Sequence, residues 1–270
     1  MAVISGIEVA LRGFAQNDAG GKIMADWNVA TLQKSEMTAV NVKALSFSVE
    51  NWQKHEAGQH YDIRLTSETG YQAERSYSIA SPPEERGAVE LGIQLLDDGE
   101  VSPYLFQMRA GDQLELRGPI GGHFVWDISM PGPLALIGGG SGMVPLMAML
   151  RHHVRNLDKD RGREIAFLVS SRTIDHVLYR PELETIQKQD PNFRLALALT
   201  DMSPEGWSGY TRRVDETMLR EVFGPMLGKM PMMYVCGPTP FVEVVANGLV
   251  AIGFNPHEIK TERFGGSSVD

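Results

Sequence analysis

Cysteine is almost absent from this chain: Cys236 is the one cysteine in 270 residues. A disulfide framework within these residues is excluded. So is an iron–sulfur cluster or a zinc site held by four cysteines. Histidine does not fill the gap. There are seven, and the adjacent pair His152-His153 lies in a charged stretch. Neighbours on a helix point apart, and no further ligands stand at helical spacing. Both therefore read as surface residues, and no metal site is expected. Net positive charge is missing too. The formal net charge of −9 argues against general affinity for nucleic acid or anionic membranes. No apolar run approaches the ~20 residues of a membrane span. Met1 to Leu11 carries Glu8 and no basic leader. Residues 1–25 thus read as a loose extension, and a cytoplasmic protein is the expectation.

What is present has two rhythms. From about Trp27 to Trp126, short alternating runs cover 27–32, 39–49, 60–65, 72–80, 89–94 and 113–116, with Gly, Pro and Asp between them. Strands at this spacing predict an antiparallel barrel or sandwich. One short helix is predicted at 103–108. Pro131-Gly132-Pro133 then breaks the chain. Beyond it, apolar strands at 134–137, 165–169, 194–199, 232–236 and 259–264 alternate with helical runs at 145–154, from Pro181, from Asp215 and at 240–252. That alternation predicts a parallel, doubly wound sheet, which binds ligands at the carboxyl ends of its strands. The expected division is an extension (1–25), a barrel domain (26–130) and an α/β domain (131–270).

Arg75-Ser76-Tyr77-Ser78 stands in the strand at 72–80. It offers a cation, a flat ring and a small hydroxyl, which suit the phosphate, aromatic face and ring edge of a flavin nucleotide. Alone, such a strand is more often an ordinary solvated face. Gly138-Gly139-Gly140-Ser141-Gly142-Met143-Val144-Pro145 follows an apolar strand and opens a helix. Glycines let the backbone approach a pyrophosphate, and the helix N-terminus supplies free N–H groups. Three glycines in a row exceed what a tight turn requires. Gly99-Glu100-Val101-Ser102-Pro103 reads as a second helix start with Ser102 as N-cap, although a plain capped helix explains it equally well. Cys236-Gly237-Pro238 ends a strand. Its thiol either lines the crevice or is a small buried residue before a turn.

Taken in order, these segments resemble the ferredoxin–NADP⁺ reductase family of FAD-dependent oxidoreductases. Arg75-x-Tyr77-Ser78, Gly99 to Ser102, Gly118-Pro119-x-Gly121, Gly140-x-Gly142-x-x-Pro145 and Cys236-Gly237-Pro238 carry the likeness over residues 27–265. The resemblance implies an antiparallel Greek-key β-barrel that binds FAD, followed by a doubly wound nicotinamide-nucleotide domain. It implies that Arg75, Ser76, Gly99, Val101 and Ser102 hold the FAD pyrophosphate side. Tyr77 lies against the isoalloxazine and Ser78 near flavin N5. Gly140, Ser141 and Gly142 bind the nucleotide's phosphates. Cys236, Gly237 and Pro238 sit beside the nicotinamide, and Glu262 and Phe264 lie near the flavin. Ser78, Cys236 and Glu262 are the implied catalytic residues. No fused [2Fe–2S] domain is expected in these residues, so electrons would pass to a separate acceptor such as a ferredoxin or an oxygenase component. An acidic ferredoxin would need a basic patch, with Lys43, Lys54 and Arg64 as candidates. A free-standing flavin or quinone reductase and a non-catalytic flavin-binding regulatory subunit are the alternatives. At the end of the strand at 165–169, Ser171 and Arg172 stand where an acid would favour NADH; an arginine there points to NADPH.

Overall fold

Apolar residues at every second position build the first sheet. The structure, a computed structural model, describes residues 26–265; the expected extension at 1–25 lies outside the described residues. The strands are β1 (Trp27–Ala39), β2 (Val42–Val49), β3 (His60–Thr66), β4 (Gln72–Ser78), β5 (Ala88–Gln94) and β6 (Gln113–Ile120). They pair antiparallel in the order β4-β3-β6-β1-β2-β5. The sheet closes on itself where Ile79, just past β4, bridges to Leu91 on β5 and the Ala80 N–H donates to the Glu90 carbonyl at 2.7 Å. Leu32, Phe47, Ile63, Leu91 and Leu116 fill the interior and are fully buried. Strand β1 runs further than its alternation foretells. Residues 33–37 are all exposed, and bulges interrupt their pairing with β2, so no apolar period marks them.

The second sheet is parallel. It comprises β7 (Leu134–Gly139), β8 (Ile165–Ser171), β9 (Phe193–Leu199), β10 (Met232–Pro238) and β11 (Ile259–Phe264), ordered β11-β10-β7-β8-β9. Helices α2 (Met143–Arg155), α3 (Arg180–Gln189), α4 (Glu216–Phe223) and α5 (Thr239–Ala251) connect these strands; α1 (Ser102–Gln107) belongs to the barrel. The order reverses between β7 and β10, and ligands of such sheets bind at that switch point. Among the described residues, no helix is long and apolar enough to cross a membrane.

Helix α2 lies between the two sheets. Met143 through Leu150 are all buried, and a helix apolar on every side has no solvent face to offer. Its side chains share one core with Val42, Ala44, Ala57 and Ala80 of the barrel. Gly92 on β5 sits so close that a Cβ there would fall 2.3 Å from Val144 Cγ2. This placement corrects the reading of His152 and His153. They do point apart, but both directions lead inward. His152 lies between Glu84 (2.7 Å) and Asp127 (3.3 Å), and His153 between Asp160 (2.7 Å) and Asp190 (3.0 Å). The chain break at 131–133 is likewise held in place. Arg163 donates to the carbonyls of Gly132 and Ile128, and its guanidinium lies over the Trp126 ring.

Candidate active site at the switch point

Strand β7 is apolar enough to be buried end to end, and it delivers Gly138 and Gly139 to the switch point with no exposed side chain. A 3-10 turn, Gly140–Gly142, follows before α2 begins. Gly140 adopts φ +55°, a region that favours glycine. At Gly142 the constraint is space: a Cβ would lie 2.2 Å from the Cys236 carbonyl oxygen. Across the crevice, β10 ends in Cys236-Gly237-Pro238. The Phe241 ring rests on both glycine ends, since a Cβ on Gly139 or on Gly237 would come within 2.8 or 2.7 Å of it. Helix α2 opens at Met143, so Pro145 is its third residue rather than its first. The N–H that proline lacks is still one of those that find no acceptor within the helix.

A cavity of about 540 Å³ opens here, lined by Gly139–Ser141 and by Ser170, Ser171 and Arg172. Arg213 forms part of the far wall, and Asn41, Val42 and Gln94 close it from the barrel. The Ser171 hydroxyl donates to the His176 carbonyl at 3.3 Å, and the exposed Arg172 guanidinium reaches His176 Nε2 at 3.1 Å. Arg212, by contrast, is paired with Asp215 at 2.6 Å. Among the described residues, no carboxylate lines the cavity. Backbone that approaches where no Cβ fits, flanked by hydroxyls and guanidinium groups, matches the phosphates of a nicotinamide nucleotide.

Cys236 lies in register between Gly138 on β7 and Glu262 on β11. Burial pushes its thiol well up, and the Glu262 carboxylate adds to this. The thiol is therefore neutral at pH 7, not a thiolate nucleophile. Desolvation pushes the half-buried Glu262 up to about 7 from an ordinary 4.5. The folded state thus holds its proton more tightly than the unfolded one. The stability this contributes is present below about pH 4.5 and is lost as pH rises through about 7. Urea midpoints at about pH 5 and 8 should differ less in Glu262→Gln than in the parent; equal differences would remove the assignment. Phe264, half-buried, ends β11 opposite Pro238 and packs on the core.

On the barrel side, alternation puts Ala73, Arg75 and Tyr77 on one face of β4. Tyr77 packs against the barrel core, and burial pushes its hydroxyl up to about 12. Ser78 is half-buried at the strand end, opposite His60. Arg75 donates to Glu100 at 3.0 Å, and Tyr71 donates to the other oxygen of Glu100 at 2.9 Å. The structure thereby brings Arg75 beside the 99–102 turn, as expected. An exposed guanidinium next to a half-buried ring on the same strand face fits a nucleotide carrying a pyrophosphate and a flat ring.

Three expectations need correction. Ser76 projects from the opposite face of β4, and its hydroxyl donates to Asp62 at 2.6 Å, so its side chain is committed elsewhere. Ser102 is not the N-cap. Val101 is, and the buried Ser102 hydroxyl accepts from the Leu96 N–H at 3.0 Å, closing the turn over Gly99. Two of the three residues of the expected basic patch are committed elsewhere, while Lys54 is exposed. Arg64 forms a two-bond pair with Glu115 (2.9 and 2.7 Å), and Lys43 donates to the Phe106 carbonyl at 2.6 Å.

A model described as an oxidoreductase FAD-binding domain matches residues 29–126, and one described as an oxidoreductase NAD-binding domain matches residues 136–247. The chain belongs to the ferredoxin–NADP⁺ reductase-like family of FAD-dependent oxidoreductases. It is a flavoprotein oxidoreductase whose cofactors are FAD and a nicotinamide nucleotide. Among curated proteins it is similar to one component of the Na⁺-translocating NADH-quinone reductase of Methylococcus capsulatus, 29% identical over 80% of this chain and 54% of that one. It spans about half to three fifths of the length of the curated relatives it matches. Among solved structures it resembles in fold a cytochrome P450 reductase of Amycolatopsis (TM-score 0.77, 24% identity, 94% of this chain and 74% of that one). A ferredoxin NADP⁺ reductase from Neisseria gonorrhoeae with bound FAD and NADP has the same fold (TM-score 0.74, 17% identity, 88% and 99%).

Several contributors escape sequence reasoning. Glu100 carries no motif. Phe241 matters only because two glycines from distant strands face it. Arg151 is one more charge in a charged stretch at the end of α2. A helix apolar on all sides that ends in Arg-His-His is the available signal that those polar residues are buried.

Proposed function

We propose that this protein is an NADPH-dependent reductase that passes electrons through FAD to a separate redox protein, such as a ferredoxin or an oxygenase component. The observation that carries this reading is the cavity at the switch point, with its glycine cradle, Arg172 and Arg213, and no carboxylate among the described residues that line it. When bound, the two cofactors supply hydride transfer from nicotinamide C4 to flavin N5 and onward release of electrons. The chain's part is to bind and align. Backbone N–H groups of Gly140, Ser141 and Gly142 hold the nucleotide phosphates, and Arg172 with Ser171 and Arg213 receives the 2′-phosphate. Arg75 and the backbone of Gly99, Val101 and Ser102 hold the FAD pyrophosphate. Tyr77 flanks the flavin ring and Ser78 hydrogen-bonds its edge. Cys236, Gly237 and Pro238 leave room for a nicotinamide, Glu262 holds a proton near pH 7, and Phe264 closes the far side. The names of its relatives, a quinone reductase component and a P450 reductase, support an acceptor beyond the flavin.

Anaerobic titration of the FAD-loaded protein tests the reading. NADPH should bleach the flavin absorbance, with a higher kcat/KM than NADH. In Arg172→Ala/Arg213→Ala the NADPH-to-NADH ratio should fall by roughly 10- to 100-fold, the scale of one or two charge-assisted hydrogen bonds. An unchanged ratio would sink the NADPH assignment, and failure of both nucleotides to bleach the flavin would favour a flavin-binding regulatory protein. Turnover with free quinone but with no redox protein would make it a quinone reductase.

A further inference from the structure

Arg151 is the first polar residue after the buried run of α2, and its side chain is only 16% exposed. Its guanidinium reaches acceptors on three separate segments. Nε and Nη2 donate to the Glu182 carboxylate of α3 at 2.7 and 2.6 Å. Nη1 donates to Glu90 of β5 at 2.7 Å and to the Ala80 carbonyl at 3.0 Å. Its flat face lies 4.7 Å from the centre of the Tyr179 ring. Tyr179 itself adopts φ +54°, uncommon for a side chain of that size. A planar fork with donors on several edges can meet all three acceptors at once, whereas a lysine offers one point of charge.

The two ends of this arrangement matter. Ala80 lies two residues past Ser78, the last residue of the strand that carries Arg75 and Tyr77. Helix α2 follows directly on the Gly140–Gly142 turn. One rigid rod of about 14 Å, at 1.5 Å per residue, therefore runs from the phosphate-binding turn to the guanidinium. The guanidinium in turn holds, by the Ala80 carbonyl, the segment that leaves the flavin strand. A buried ion pair is weak evidence for added stability. It does impose one geometry, because the one cation joins Glu90 and Glu182, and removing it leaves two part-buried carboxylates without their shared partner.

We propose that Arg151 is a positioning residue for hydride transfer, setting the flavin strand at a fixed distance from the nucleotide-binding turn without touching either cofactor. The proposal rests on the function inferred above. Arg151 sets the distance between the two rings, and it acts through Ala80 and Glu90.

The test uses the FAD-loaded protein with Arg151→Lys, Arg151→Ala and Glu90→Gln. Anaerobic stopped-flow mixing with NADPH gives the limiting rate of flavin reduction and the apparent nucleotide affinity separately. The limiting rate should fall roughly 10- to 100-fold in Arg151→Lys, the order of loss that follows small misplacement of reacting groups. FAD content and nucleotide affinity should stay within about twofold of the parent, a split that general destabilisation does not produce. Glu90→Gln should lose rate in the same way. Added guanidinium should restore part of the rate in Arg151→Ala. A parent protein reduced by NADPH, with Arg151→Lys reduced equally fast, overturns this proposal alone. Parallel losses of rate, FAD content and affinity also overturn it, reducing Arg151 to a structural contact. A parent protein that neither nucleotide reduces overturns the reading of function and this proposal with it.

Discussion

A Gly142→Ala variant should purify with FAD bound and yet be reduced by NADPH at least ~100-fold more slowly than the parent, a barrier increase of about 2.7 kcal/mol. The backbone torsion is not the obstacle, since Gly142 has an ordinary helical φ of −62°. The obstacle is a Cβ placed 2.2 Å from the Cys236 carbonyl oxygen and 2.7 Å from the Gly237 nitrogen. Those are backbone atoms of a central strand, hydrogen-bonded on both sides, and they have no free end to swing away. Overfilling a packed site costs about 1–3 kcal/mol, and here the strain moves the two segments that line the crevice. Gly140 offers the contrast. A Cβ there meets nothing within 4 Å, but φ is +55°. Gly140→Asn, which tolerates that region, should therefore keep more activity than Gly140→Val. Stopped-flow reduction and the flavin absorbance of the purified variants measure both effects. Parent-like reduction of Gly142→Ala would mean that the crevice does not receive the nucleotide.

The second large effect is expected at the barrel. Arg75→Ala should weaken FAD binding by roughly 30- to 100-fold, the loss of one or two charge-assisted hydrogen bonds to phosphate. Its partner should act in the opposite sense. Glu100 neutralises Arg75 through a pair in which both side chains are about half exposed (54% and 51%), and such pairs contribute little to stability. The pair is easily broken, but the carboxylate repels an incoming phosphate. Glu100→Gln should tighten FAD severalfold, and the gain should shrink with added salt as the charges are screened. Fluorescence titration of the stripped protein measures both constants. Equal FAD affinity in the parent and in Arg75→Ala would remove Arg75 from the cofactor site.

The two rhythms of the sequence translated well into structure because each rests on a local period. Strand β11 covers the expected residues 259–264, and β3 and β8 differ from their patterns only at the ends. The Arg75 and Gly140 segments stood out as candidates for a related reason: their residue types suit the proposed chemistry themselves. What stayed hidden depended on neighbours remote in the chain. His152 and His153 look like surface residues until α2 is seen between two layers. Ser102 has the composition of an N-cap, but Leu96 competes for its hydroxyl and wins. Ser76 belongs to the Arg75 tetrad by position and to Asp62 by the alternation of the strand. Arg64 reads as a free charge only as long as Glu115, far along the chain on β6, is out of sight.

The clamp on residues 128–132 changes how the molecule can be taken apart or recombined. Along the chain, Pro131-Gly132-Pro133 looks like a natural place to splice one half onto a foreign partner. In space, Arg163 from the second half donates to the Ile128 carbonyl on the first half's side of that joint and lies over the Trp126 ring. Gly92 has meanwhile given up its side chain to admit Val144. A chimera joined at 131–133 would inherit a guanidinium without its Trp126 and Ile128 contacts and a valine without its recess. The halves are interchangeable as text but not as parts, and a workable graft would have to carry α2 together with the barrel surface that receives it.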